Sequence, residues 1–260
     1  MSVIMPLLFV GHGSPMNIVQ KNDFTESLRQ AGQALPEPRC ILCISAHWVM
    51  DGTFVTAGDL PKQIYDFYGF PAELYEIAYP APGSPKDAEH ISMLGKNIPV
   101  APSDCWGIDH GAWAILHHLF PKNGIPVIQL SLDTNKEEAE HFKLAKFLEP
   151  LRSESFLIIG SGNIVHNLQL MSWQQFGEEP YPWARRFDEQ VRDALDRRDD
   201  ALLIEYDGRD REAGQRAVPT NEHYLPLLYI AALRGSKENI EYIHEGIQHR
   251  SVSMRSFIVR

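Results

Sequence analysis

The sequence has little of three things that mark specialised classes of protein: cysteine, positive charge and long apolar runs. Its cysteines, Cys40, Cys43 and Cys105, are few and odd in number, which fits a reducing compartment better than a disulfide framework. The 34 Asp and Glu residues outnumber the 24 Lys and Arg residues and give a formal net charge of −10. We therefore expect no nucleic acid and no membrane surface as a partner, because binding phosphate groups requires a cationic face.

A membrane-spanning or targeting segment is not expected either. No apolar run approaches the roughly 20 residues that a membrane-spanning helix needs. Residues 1–10 are apolar, but they lack a basic stretch and lead directly into a glycine-containing turn. We therefore interpret them as containing the first strand and not as a signal peptide. These features predict a soluble, cytoplasmic protein.

Short apolar segments alternate with amphipathic segments along the whole chain. The predicted strands are residues 6–10, 41–48, 98–101, 127–132 and 156–159, with β-like runs at 240–247 and 251–259, and the predicted helices are residues 24–34, 112–119, 135–148, 182–198 and 221–231. We expect Asp133 and Thr134 to cap the third of these helices, and Thr220 to cap the last. The alternation, without internal repeats or breaks in composition, predicts a single α/β domain over residues 1–260. Its central sheet should be largely parallel or mixed and flanked by helices.

Residues 51–85 form the longest part of the chain without a clear period. They are rich in proline, glycine and aromatic residues. This composition is typical of a long ordered loop or lid and not of a linker, since linkers seldom carry so many aromatic side chains. The alternative is that these rings simply cover the sheet.

The C-x-x-C spacing of Cys40 and Cys43 occurs in some metal and redox sites. Both residues fall on or next to a predicted strand, where side chains three positions apart point to opposite faces. We therefore expect them to pack in the core.

Residues 41–48 form a short apolar run that ends at His47. Such a run predicts a buried strand, and open α/β sheets bind their ligands beyond the carboxyl ends of strands. Similar placements recur along the chain. Five of the eleven histidines lie at predicted strand ends or in turns with a glycine or a helix cap: His12, His47, His110, His166 and His223. The other six, in polar or helix-surface surroundings, are expected to be structural or solvated: His90, His117, His118, His141, His244 and His249.

Five histidines in equivalent positions predict a shared metal site. Neutral imidazole is the commonest metal ligand and suits zinc, copper, iron and nickel. The five lack the H-x-x-x-H spacing of a local chelate, so the ligands must converge from separate elements. Cysteine is absent from the set, which argues against a structural zinc site. A serine hydrolase is poorly supported, because Ser161 is the nearest match to a nucleophile and lacks the G-x-S-x-G pattern.

The segments around these histidines resemble, in order, those of the class III extradiol ring-cleavage dioxygenases. The closest resemblance is to the 4,5-DOPA extradiol dioxygenase branch. The matching segments are GHGSP at residues 11–15, ISAHW at 44–48, WGIDHG at 106–111, GSGNIVHN at 160–167 and NEHY at 221–224. Each is moderately specific alone, and the ordered set, which spans nearly the whole chain, is strong.

The resemblance implies a mononuclear non-haem iron(II) site that opens catechol rings next to the diol with O₂. By position, His12, His47 and His223 correspond to the metal ligands. His166 corresponds to the acid/base, and His110 to the histidine that helps to hold substrate or oxygen. The resemblance also allows His166 as a fourth ligand to zinc, which could occupy the site after purification.

One position departs from the pattern of many extradiol enzymes, which complete a two-histidine site with a carboxylate. Here His223 occupies that position. Glu222 is adjacent, but neighbouring residues on a helix do not share a face, so Glu222 is expected to point away from the metal. Three histidines would leave the full +2 charge on the ion and match a hydrolytic zinc site. A zinc-dependent hydrolase therefore remains an alternative, as does a non-enzymatic binding protein.

Overall fold

The computed structural model describes residues 4–95, 98–173, 179–208 and 210–260. The strands are β1 Leu7–Gly11, β2 Cys40–Met50, β3 Thr53–Thr56, β4 Val100–Ser103, β5 Val127–Asp133, β6 Phe156–Gly162, β7 Ile240–His244, β8 Ile247–Gln248, β9 Val252–Ser253 and β10 Ser256–Val259. The helices are α1 Asp23–Ala34, α2 Pro85–Leu94, α3 His110–Leu119, α4 Glu138–Ala145, α5 Glu149–Ser153, α6 Pro182–Arg197, α7 Asp200–Ile204, α8 Arg211–Ala217 and α9 Leu225–Leu233. Among the helices in these ranges, none is both long and apolar enough to cross a membrane.

Eight strands form one mixed, mostly parallel sheet in the order β4-β3-β5-β2-β6-β1-β10-β7. The four central strands are parallel: β2 pairs with β5 and β6, and β6 pairs with β1. Antiparallel pairs lie outside them, where β10 joins β1 and β7 joins β10. The predicted α/β class and central mixed sheet are confirmed. The carboxyl ends of β1, β2 and β6 therefore meet at one edge of the sheet.

The central strands are buried on both faces, as expected for parallel strands covered by helices. Every residue of β1, β5 and β6 is buried. The two sides of the sheet pack in separate hydrophobic cores, and Cys40 lies in one while Cys43 lies in the other. Their predicted positions on opposite faces are confirmed. Helix α6 buries its apolar stripe, including Phe187 and Val191, as its period predicts.

Strand β2 is longer than predicted and does not end at His47. It continues through Met50, and its pairing with β5 shifts register between Ile44 and Val49. The strand continues because Val49 and Met50 pair with Leu132 and Asp133 at the end of β5. His47 therefore lies at an irregularity inside the strand, which re-aims the side chain as a β-bulge does.

Two helix starts were predicted too early. Asp133 is the last residue of β5 and not a cap; α4 begins at Glu138, with a capping box formed by Glu137 and Glu140. Helix α9 begins at Leu225, so that His223 precedes it in a turn and Thr220 is not its cap. Proline is favoured in the first turn of a helix, and Pro226 occupies that position here.

Residues 51–85 are an ordered segment that contains structure of its own. It includes β3, which pairs with β4 and β5, and a short 3₁₀ helix at Ala72–Glu76. Backbone hydrogen bonds of 2.8 Å join Ile64 and Lys62 to Ile108. Between these elements, the ring of Phe67 is buried, whereas Tyr68 is 92% exposed. The segment therefore covers part of the carboxyl edge of the sheet as a fixed loop.

Candidate metal centre

His12 follows β1 directly and is held by the neighbouring strand β6. Its backbone N–H donates to the Gly162 carbonyl at 3.0 Å, and its ring is buried. The chain turns at Gly13, which has φ +62°, a torsion that glycine adopts without strain. The ring thus leaves the strand end on a support fixed by the sheet.

His47 and His110 bring two more rings to the same place. His47 comes from the irregular part of β2, and its Nε2 lies 3.2 Å from Nε2 of His12. His110 is the first residue of α3, whose N-cap is the buried side chain of Asp109. The His110 ring centroid lies 4.1 Å from that of His47 and 5.7 Å from that of His12. One nitrogen from each of the three rings lies within 4.8 Å of the others.

His166 and His223 approach from connecting segments. The two rings stack with their centroids 3.5 Å apart and an interplanar angle of 8°. The His166 N–H donates to the Ala217 carbonyl and the His223 carbonyl accepts from Asn163 N–H, both at 2.8 Å. Gly162 allows this close approach, because a Cβ there would clash with the His223 carbonyl oxygen.

The two sets of histidines face one another across a single space. The His223 ring centroid lies 5.4 Å from that of His12 and 5.1 Å from that of His47. His166, Glu222 and His223 also have one ligand atom each within 4.8 Å of one another. The structure thus brings together all five histidines that the sequence singled out.

The Nδ1 atom of His12, which faces away from the shared space, has a partner that sets the tautomer of the ring. Its Nδ1 lies 3.0 Å from the Ser161 hydroxyl oxygen. That hydroxyl donates its own proton to the Gly111 carbonyl, so it accepts the proton of His12 Nδ1. The lone pair of His12 is therefore on Nε2. Ser161 thus orients a histidine, and the sequence analysis considered it only as a nucleophile.

Carboxylates set the tautomers of His47 and His223. Nδ1 of His47 lies 3.1 Å from Asp66 Oδ2, and Nδ1 of His223 lies 3.0 Å from Glu222 Oε1. A carboxylate has only lone pairs to offer, so each facing nitrogen carries the proton. Nε2 of both rings is then free to bind a metal. Metal-ligating histidines commonly pair their second nitrogen in this way.

The nitrogens that face the shared space fit a metal ion. The two Nε2 atoms of His12 and His47 lie 3.2 Å apart and cannot both point a lone pair at the other, so either a proton or a metal ion lies between them. Two nitrogens each about 2.1 Å from one ion, at an angle of about 100°, have this separation. Nε2 of His223 is buried and has no hydrogen-bond partner in the part of the chain that the structure describes.

The electrostatics of the site favour the neutral form of His12, His166 and His223, whereas they favour the protonated form of His47. Burial and the neighbouring imidazoles lower the pKa values of His12 and His223 well below their usual range. Burial also opposes protonation of His47, but the contact with Asp66 outweighs it and raises the pKa. For His166, burial and then His47 lower the pKa to about 4. Neutral imidazole is the form that binds metal.

Glu222 does not point away from the site as predicted. Because residues 221–224 form a turn and not a helix, neighbouring side chains are free to meet, and Glu222 contacts the outer nitrogen of His223. The Glu222 carboxylate therefore contacts the side of His223 that faces away from the shared space, and it does not replace this histidine as a ligand. Asp66, the other carboxylate of the site, was missed. The only feature in the sequence that could have pointed to it is an acidic residue placed between two aromatic ones, Tyr65 and Phe67, in the aromatic segment, residues 51–85.

The other six histidines lie outside this space, and four of them have partners elsewhere. His90 pairs with Glu154, His118 with the Asn17 carbonyl, His141 with Tyr229 and the Asp133 carbonyl, and His249 with the Ser172 carbonyl. His118 and His141 are buried, contrary to their predicted surface positions. Their hydrogen bonds are consistent with structural roles.

Comparisons with known proteins agree over almost the entire chain. Residues 5–259 match the family model of the catalytic LigB subunit of aromatic ring-opening dioxygenase. The chain is 44% identical over 259 residues to 4,5-DOPA dioxygenase extradiol of Escherichia coli, covering 98% of this chain and 94% of that protein. It is 36% identical over 248 residues to the protein of the same name from Beta vulgaris, covering 93% and 91%. A crystal structure of an uncharacterized Escherichia coli K12 protein superposes with a TM-score of 0.85 at 40% identity, covering 98% of this chain and all of that one.

Proposed function

The chain belongs to the family of the catalytic LigB subunit of aromatic ring-opening dioxygenases, and from this premise we propose that His12, His47 and His223 hold its metal ion. The protein is an extradiol ring-opening dioxygenase similar to 4,5-DOPA dioxygenase extradiol. The family depends on a metal, which we propose to be iron(II). We also propose that residues 1–260 form one catalytic domain and that the protein is cytoplasmic.

One observation carries the ligand assignment. His12, His47 and His223 each have their Nδ1 3.0–3.1 Å from an acceptor in the protein. Their Nε2 atoms are left for the shared space. His110 also has its Nδ1 beside a carboxylate oxygen, but the buried Nε2 of His223 has no hydrogen-bond partner among the described residues, so His223 is the proposed third ligand. When bound there, iron(II) would supply the positions at which a catechol and O₂ meet and would pass electrons between them. Zinc could replace it in protein purified in air.

His166 is the proposed acid/base. Its ring is half-buried against His223, and its lowered pKa keeps it neutral at pH 7. A neutral imidazole can accept a proton from a catechol hydroxyl group and later return it to the opening ring. The stack with His223 holds this base beside the metal ligands, although a direct role as a fourth ligand to zinc remains part of the proposal.

His110 is proposed to hold the substrate or oxygen. Its Nδ1 lies 3.0 Å from Asp66 Oδ1, which leaves Nε2 to meet a bound molecule. The ring sits between His47 and Phe67, with centroids 4.1 and 5.4 Å away. This packing fixes the orientation of the ring before substrate arrives, as binding by a preorganised site requires.

The substrate is proposed to be a catechol, with O₂ as the second reactant. The names of the Escherichia coli and Beta vulgaris relatives make DOPA the first compound to test. The protein is first reconstituted with iron(II) under nitrogen and is then assayed with O₂ and a panel of catechols. It should consume O₂ and give a yellow ring-opened product. Metal-dependent hydrolysis of esters without O₂, and no catechol turnover, would instead support the zinc hydrolase.

A further inference from the structure

We infer that Asp66 is a positioning residue that orients a metal ligand and a substrate-facing histidine at once. The inference rests on the function proposed above. It concerns a carboxylate that reaches the site from the aromatic segment and contacts His47 and His110 through their outer nitrogens.

The contacts of Asp66 are divided between its two oxygens. Oδ2 lies 3.1 Å from Nδ1 of His47. Oδ1 lies 3.0 Å from Nδ1 of His110 and accepts the backbone N–H of His110 at 2.8 Å. One carboxylate therefore contacts two rings whose centroids are only 4.1 Å apart. Its side chain is 17% exposed, so little water competes for these contacts.

The backbone around Asp66 is itself fixed. The N–H of Ile64 donates to the Ile108 carbonyl at 2.8 Å, and the indole N–H of Trp113 donates to the Ile64 carbonyl at 2.9 Å. On the other side, the ring of Phe67 packs edge-on against His110 at 5.4 Å. The carboxylate is thus delivered by a segment that cannot shift without breaking several contacts.

This arrangement has two consequences for the chemistry. A negatively charged oxygen 3.0–3.1 Å from each Nδ1 favours a proton on that nitrogen, since the oxygen has only lone pairs, and this leaves Nε2 of His47 to the metal. The negative charge also lies one ring behind the ion and makes the imidazole a better donor. Ser161 and Glu222 each contact one histidine. Asp66 instead contacts two, the proposed ligand His47 and His110, which would face the substrate.

The test is Asp66→Asn, which keeps the size of the side chain and removes its charge. Asparagine keeps only one of the two oxygens and carries no negative charge, so the ionic contacts with the two rings are lost or weakened. We expect the affinity for Zn²⁺ and Co²⁺ to fall about 10- to 100-fold, measured by competition with a chelator, and the visible spectrum of bound Co²⁺ to change. Asp59→Asn is the matched control, because Asp59 is exposed in the same segment. It should bind both metals like the wild type.

A second comparison separates the two contacts. In a His110→Ala background, Asp66→Asn should still weaken metal binding, through His47, but should cause no further change in the KM for catechol. A purely structural role would lower the melting temperature and leave metal affinity and the Co²⁺ spectrum unchanged. If Asp66→Asn does not fold, Asp66→Glu replaces it, since one added methylene displaces the carboxylate and should weaken binding several-fold.

The outcomes for the two proposals differ. Equal metal affinity in the wild type and in Asp66→Asn would overturn the role of Asp66 and leave the proposed function standing. A wild-type protein that binds neither metal would overturn the metal site, and the role of Asp66 with it.

Discussion

The two halves of the metal centre are built on different supports. His12, His47 and His110 stand on a strand end, a strand irregularity and the first turn of a helix. His166 and His223 stand on turns between elements and are held by backbone hydrogen bonds and by their mutual stack. Sites on regular elements are more precise than sites on loops. The first half therefore gives two of the three proposed ligands a rigid support, whereas the second half supplies the third ligand, His223, together with the ring that is proposed to exchange protons.

The largest expected effect comes from removing a ring of the first half. His12→Ala and His47→Ala should each lose the metal outright, because each deletes one of the three proposed ligands. Elemental analysis after anaerobic reconstitution with iron(II) measures the loss. Unchanged metal content in either variant would contradict the ligand assignment and would break the distinction between the halves.

A change of the second half should separate binding from turnover. His166→Ala is expected to retain the metal and to lose turnover by roughly 10²- to 10⁴-fold, the usual contribution of a general acid/base. Oxygen uptake with a saturating catechol, on protein of known metal content, gives the comparison. Loss of the metal would instead indicate that His166 is a ligand, and full activity would remove it from the mechanism.

The smallest expected effect is on the pH dependence of the metal-free protein. Burial is the first cause that lowers the pKa values of four histidines of the site: His12, His110, His166 and His223. It also lowers those of four histidines outside the site: His117, His118, His141 and His244. Below the ordinary pKa of 6.5, the unfolded chain therefore takes up protons that the folded chain refuses. Stability should fall from pH 6.5 toward about 4, the folded-state pKa of His166. The raised pKa of His47 acts in the opposite sense.

Melting temperatures of the metal-free protein between pH 4 and 7 test this slope. His166→Gln is the control, because it deletes one of these contributions without adding a charge. A flatter profile is expected for this variant. A wild-type melting temperature that rises as the pH falls would contradict the expected destabilisation by buried histidines.

The sequence predicted the first half of the site better than the second. His12 and His47 follow or interrupt apolar runs, and parallel strands leave such residues at a common edge. The position of Glu222 depends on where α9 starts, and a cap assigned to Thr220 placed that start too early. Neighbouring side chains diverge on a helix but can meet in a turn, so the contact of Glu222 with His223 was not predicted.

Asp66 could not be placed from the sequence for a different reason. Its contacts depend on the pairing of residues 62–64 with Ile108, a tertiary contact that no local period reveals. Strand β3, in the same segment, was not predicted either, because Thr53–Thr56 lies among proline and glycine residues. Helix α2 was missed too, although Ser84 before Pro85 is an ordinary start signal. Long apolar strands such as β6 were predicted well, since burial on both faces leaves little ambiguity.

The pairing of β1 with β10 joins residues that are far apart along the chain, with Leu7 opposite Val259. The strand that carries His12 thus has one neighbour from the middle of the chain and one from near residue 260. Contacts of such long range form late, after the cost of closing large loops has been met. A chain in which β10 has not yet paired would leave β1 as an open edge of the sheet, prone to self-association.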